Sequence, residues 1–176
     1  MRIIAQQGQV AEIVPKLRQL GNSDGWTTRF IDPSTGQRWT HTYLGADYHG
    51  GGMPILVPDP MPSVRDLILI ACTSNEPAEI AASAWLLTET DKEGNYREHL
   101  VRAAEAAANG GNQKHAALLV GWGRLTDASN LRPTLGKDSA EVSADHKHFQ
   151  DIAARAKALL RLKASDPLLR DLKVFN

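Results

Sequence analysis

Apolar positions recur every three and four residues from Gln9 to Leu20, at Val10, Ile13, Val14, Leu17 and Leu20, which predicts a helix. Pro15 interrupts that pattern, so the helix is short, kinked or begins near Pro15. The period then changes to two. Trp26 to Ile31 and Gln37 to Leu44 read as strands, and Asp32-Pro33-Ser34-Thr35-Gly36 between them is a hairpin-loop signal. Along the second strand Trp39, His41 and Tyr43 share one face, and Arg38, Thr40 and Thr42 the other. Tyr48 to Pro62, rich in glycine and proline, is expected to be an extended connection outside any ladder.

From Ser63 onward the start and stop signals are helical. Ser63 with Asp66 predicts a capping box for a helix to about Cys72. Asn75 is placed as the cap of the next, from Glu76 to about Thr88, with Trp85 expected in the core. Asn95 with Glu98 opens a third helix that stops at Asn109-Gly110-Gly111, and Asn112 a fourth that stops near Gly121-Trp122-Gly123. Asp138 with Glu141 caps the longest, to about Lys163, and Ser165-Asp166-Pro167 opens a short last one. Connections of about two to six residues favour antiparallel helical hairpins. The expected fold class is α+β, mostly α: HEAT-like helical hairpins on a small N-terminal β-hairpin layer. One domain spans 1–176, with 1–58 mixed and 63–176 helical.

A chain of 176 residues, 42% apolar and 23% charged, has ordinary globular composition. The single cysteine, Cys72, lies in an apolar run and is read as a small buried hydrophobe; alone it forms neither an internal disulfide nor a zinc cage. The segment Met1 to Gln7 is too short and polar for a signal-peptide core, and no apolar stretch reaches membrane-span length, so a cytoplasmic protein is expected.

Net charge is zero, but unevenly spread. Met1 to Pro58 carries five basic and four acidic residues, Asp59 to Glu105 four and nine, and Ala106 to Asn176 eleven and seven. A neutral total gives no reason to expect nucleic acid as a partner. The acidic middle, with Glu76, Glu79, Glu89, Asp91, Glu93 and Glu98, is instead suited to attract a basic protein. Helix-dipole compensation explains acids at helix starts, but not all of Glu89, Asp91 and Glu93 in one turn.

Two fragments mimic a serine hydrolase, Gly21-Asn22-Ser23-Asp24-Gly25 and His49-Gly50-Gly51-Gly52. Their order is reversed from that fold, and a strand rather than a helix is predicted after Ser23, so they read as turn and loop. His146 and His148 fall in a helix, where residues two apart diverge, and His146 is placed on the apolar stripe with Val142, Phe149, Ala153, Ala156 and Leu160. His41 reads as a donor among aromatics, although His41, His49 and an acid could converge on a metal. Gly50 to Gly52 lacks the lysine of a P-loop. Arg155, Lys157, Arg161 and Lys163 read as a solvated helix face. No catalytic residue, metal site or cofactor is assigned.

Tyr48-His49-Gly50-Gly51-Gly52, Pro58-Asp59-Pro60, Asp66-Leu67-Ile68 and Glu79-Ile80-Ala81-Ala82-Ser83-Ala84-Trp85-Leu86-Leu87 carry a resemblance across about two-fifths of the chain. This stretch, about Trp39 to Glu105, resembles small bacterial immunity proteins encoded beside polymorphic or contact-dependent growth inhibition toxins. The resemblance implies a non-enzymatic cytoplasmic inhibitor that binds one cognate toxin, a nuclease being one class. It assigns no contact residue, so the interface expectation rests on the six acids named above. The alternatives are a small hydrolase or metal-dependent enzyme using His41 and His49, or a general helical interaction scaffold.

Overall fold

The computed structural model describes residues 2–21, 26–45 and 52–164. It is α+β and mostly α: six α-helices and a four-stranded antiparallel sheet at the N-terminal side. Ser23, His49 and the predicted helix at Ser165 lie outside the described residues.

The first helix, α1 (Gln7–Ile13), ends before the proline. Pro15 sits in the 3-10 turn Val14–Lys16, and the chain then extends into β1 (Arg18–Gln19), so of the outcomes open at Pro15 the helix takes the short one. β2 (Thr28–Ile31) and β3 (Arg38–Leu44) form the predicted hairpin, with Asp32 accepting from Ser34 and Gly36 at φ +74° in the turn.

The glycine-proline segment corrects an expectation, because Met53–Asp59 forms β4 and pairs with β3 along its length. The Leu56 amide donates to Ile4 O at 2.8 Å, and its carbonyl accepts from Ile4 N at 3.0 Å. Its backbone groups therefore point away from β3, as do those of Pro54 and Pro58, two residues to either side. The two missing donors fall on the outer edge, where the ladder to β3 needs nothing.

The helices stack as two antiparallel hairpins, α2 (Val64–Thr73) with α3 (Pro77–Thr90) and α4 (Tyr96–Asn109) with α5 (Gln113–Trp122). α2 lies beside α4 and α3 beside α5, and α6 (Ser139–Ala164) closes the array on α4 and α5. The Ser63–Asp66 capping box, the Asn112 cap and the reciprocal Asp138–Glu141 bonds form as expected. Asn75 is not a cap. Pro77 at the first helical position makes Glu76 the boundary residue, and Ser74 Oγ accepts from the Glu76 amide.

One core runs from the sheet into the array, with Leu44, Ile55, Val57, Leu67, Leu87, Leu100, Leu119 and Ile152 buried. Trp85 and Cys72 are half-buried at its margin rather than inside it. On α6 the inward position expected for His146 belongs to Asp145; His146 is exposed, its Nε2 2.7 Å from the Gln150 amide nitrogen. No described helix is long and apolar enough to cross a membrane.

Candidate binding surface

The six acids do not form one face. Glu76 accepts from the Gln6 amide, and Glu79 accepts from Ser74 Oγ at 2.6 Å and pairs with Arg2 at 3.7 Å, so both join the N-terminal segment to the start of α3. Glu98 pairs with Arg102 on its own helix and with Arg155 of α6. Glu89, Asp91 and Glu93 sit at the far end of α3, about 15 Å along the helix from Glu79 at 1.5 Å per residue. Asp91 is spent on structure, capping α4 through the Tyr96 amide at 2.9 Å. That supplies the capping bond that the Asn95 side chain does not make. Glu89, with its exposed partner Lys92, and Glu93 remain at the surface.

The turn that carries them packs against a long connection, Arg124–Asp138, which lies where the sequence stops one helix near Gly123 and caps the next at Asp138 and is longer than the other helix–helix links. Gly94 of the turn lies against Leu131 and the Phe149 ring. Arg97 is buried, donates to the Asp127 carbonyl at 2.8 Å and pairs with its carboxylate at 3.4 Å. Arg132 and Lys137 each reach the Asp145 carboxylate at 2.6 Å. The guanidinium carbons of Arg97 and Arg132 lie 5.5 and 5.6 Å from the Phe149 centroid, within cation–π range. The hydrogen bonds from Lys137 and Arg132 hold the Asp145 carboxyl below the usual carboxylate range. Thus the connection is fixed at Asp127, Arg132 and Lys137, each time by a charged group.

Between the last two anchors the chain turns at Pro133-Thr134-Leu135-Gly136, with Gly136 at φ +83°. Leu135 is 97% exposed. Beside it an open groove of about 620 Å³ is lined by Asn130, Thr134, Lys137, Val142 and His146. Asp138, which also lines the groove, caps α6 in reciprocal bonds with Glu141. The surface thus combines a projecting leucine, a fixed loop and the Asp138 carboxylate. The sequence pattern missed it because tertiary charge pairs, not periodicity, hold the loop; its length and its Pro133 and Gly136 were the available signal.

Of the histidines in the alternative reading, only His41 falls among the described residues; His49 lies outside them. His41 lies edge-on to Phe30 (6.3 Å) and Tyr43 (5.0 Å), and burial lowers its pKa. Among the described residues no three histidine, cysteine or carboxylate side chains gather as metal ligands. No family model, curated protein sequence or solved structure matches this chain.

Proposed function

We propose that this protein is a non-catalytic, immunity-type inhibitor acting in the cytoplasm, which neutralises a basic bacterial toxin by seating the Leu135 loop on it. The observation that supports this reading is the 97% exposed Leu135 on a loop anchored to buried or half-buried charged groups on both sides. A leucine held away from its own core gains by entering a partner's apolar pocket. A loop already fixed loses little entropy when it docks. Asp138 at the groove, and Glu89 and Glu93 exposed at the turn that packs on the same connection through Gly94, suit a cationic partner, such as a nuclease whose groove binds phosphate. The resemblance to immunity proteins across Trp39 to Glu105 points the same way.

The test uses the product of the toxin-like reading frame expected beside the gene. Leu135→Asp should weaken binding about 30-fold or more, the scale of an interface anchor. Glu89→Gln with Glu93→Gln should slow association mainly at low salt. Full affinity in the Leu135→Asp protein would reject this docking surface.

A further inference from the structure

The helices cover only half of the sheet face they pack on. Leu44, Ile55 and Val57 are buried on the β3–β4 side. On the β1–β2 side Arg18, Ile31 and Arg38 stand in register across three strands, so their side chains share one face. Arg29, two residues before Ile31, joins that face. All three arginines are exposed, and none forms an ion pair among the described residues. Asp59 lies opposite Arg38 in register without pairing to it, and the Asp32 carboxylate is taken by Ser34. Three guanidinium groups, unpaired among the described residues, thus surround one half-buried isoleucine. The Cα atoms of Arg18 and Arg38 lie about 10 Å apart, two inter-strand spacings.

We propose that this arginine triad contacts the phosphates of a single strand of nucleic acid. Arginine binds phosphate oxygens through paired donors, and a triad that forms no ion pair among the described residues, with Asp59 opposite Arg38 as its one facing carboxylate, leaves those donors open. The same hairpin favours a nucleic-acid strand over an acidic polypeptide. Trp26 is 58% exposed, 6.4 Å edge-on from Tyr43, and Trp39 is half-exposed on the same ring-bearing face as Tyr43. Single-strand sites combine cations for the backbone with rings for the bases. Here rings and cations lie on opposite faces of the same hairpin, so the proposed strand passes from one face to the other with its phosphates on the arginines and a base on the exposed Trp26. The neutral total charge argues against a global basic field, but not against a local patch. This site is separate from the Leu135 loop.

The probe is a mixed-sequence single-stranded DNA of about 20 nucleotides, followed by fluorescence anisotropy with the whole protein. Three phosphate contacts on a single strand predict an affinity loss of about 20-fold between 50 and 200 mM salt. Exchanging Arg18, Arg29 and Arg38 together for Gln should abolish that dependence. Arg38→Gln alone should lower the log–log salt slope by about 0.7. Trp26→Ala should weaken the DNA complex and leave binding of inorganic tripolyphosphate unchanged. Absence of binding at 50 mM salt, or unchanged binding by the triple variant, would overturn the proposal. So would displacement of the DNA by an equal concentration of polyglutamate, which would give the triad to an acidic protein. Leu135→Asp should leave DNA binding intact, so failure here and failure of the inhibitor reading are separable.

Discussion

At the scale of single residues, Gly94 shows how closely the turn and the long loop are fitted. Its φ of +71° lies in the left-handed region, and a Cβ there would come 2.9 Å from Leu131 Cδ1 and 3.1 Å from Phe149 Cε1. Backbone strain and the displaced ring act together, so Gly94→Ala should cost about 2–3 kcal/mol in urea unfolding. A loss under about 0.5 kcal/mol would mean that the turn relaxes freely and does not position the loop. Trp85 is a milder case. Its half-burial at the core margin lowers the expected cost of Trp85→Ala to about 2–3 kcal/mol, below that of a fully enclosed ring. Retained binding by Trp85→Ala would further separate this ring from the docking surface.

Between elements, charge supplies much of what apolar packing does not. Arg155 of α6 reaches across to α4, where Nη2 lies 2.7 Å from Glu105 and Nη1 3.0 Å from Glu98. These side chains are about a quarter to a third exposed, so solvent screens the pairs. Arg155→Met should cost about 1–2 kcal/mol and loosen the α4–α6 contact, read as faster amide exchange in α6. Unchanged exchange would leave the contact to apolar packing alone. The helix boundaries were legible in the sequence because their causes are local: Ser63 with Asp66, Asn112, and Asp138 with Glu141 each bond within four residues. β4 was not legible. Prolines 54 and 58 are admissible only because Leu56 turns its amide towards Ile4, a partner more than fifty residues earlier. The inward place of Asp145 was hidden for the same reason, since the cations that neutralise it lie on the preceding loop. The acidic segment was visible as composition, but its division between internal ties and free surface depends on Arg2, Gln6 and Arg155, all distant in sequence.

Across the whole molecule these ties make the loop and α6 the acid-labile part of the array. Hydrogen bonds from Lys137 and Arg132 lower the pKa of Asp145, and those from Arg155 lower that of Glu105. Burial alone would raise Glu98 and Asp127; arginine pairing at Glu98, and Ser129 with Arg97 at Asp127, outweigh it and lower both. A carboxylate with a depressed pKa in the folded state contributes stability that is fully present above its unfolded value. That contribution is lost as pH falls through the folded value. The ordinary values are 4.5 for the glutamates and 3.8 for the aspartates, so the contribution of these four should be full from pH 7 to about 5 and fall below about 4.5. His41, lowered by burial from 6.5, adds a separate and earlier loss as pH drops through 6.5. All four carboxylates tie α6 or the Arg124–Asp138 loop to the rest. None of the four lies in the α2–α3 hairpin; its own lowered carboxylate, Asp66, is confined to the exposed capping box at the start of α2, so α3 is expected to outlast both in acid. Hydrogen exchange followed from pH 6 to pH 3.5, corrected for intrinsic rates, should therefore show protection lost first in α6 and the loop. Arg155→Met should flatten the stability fall, since Glu98 and Glu105 would then titrate nearer their ordinary values. Simultaneous loss of protection in α2, α3 and α6, with the same pH dependence in the variant, would place the acid-sensitive groups elsewhere.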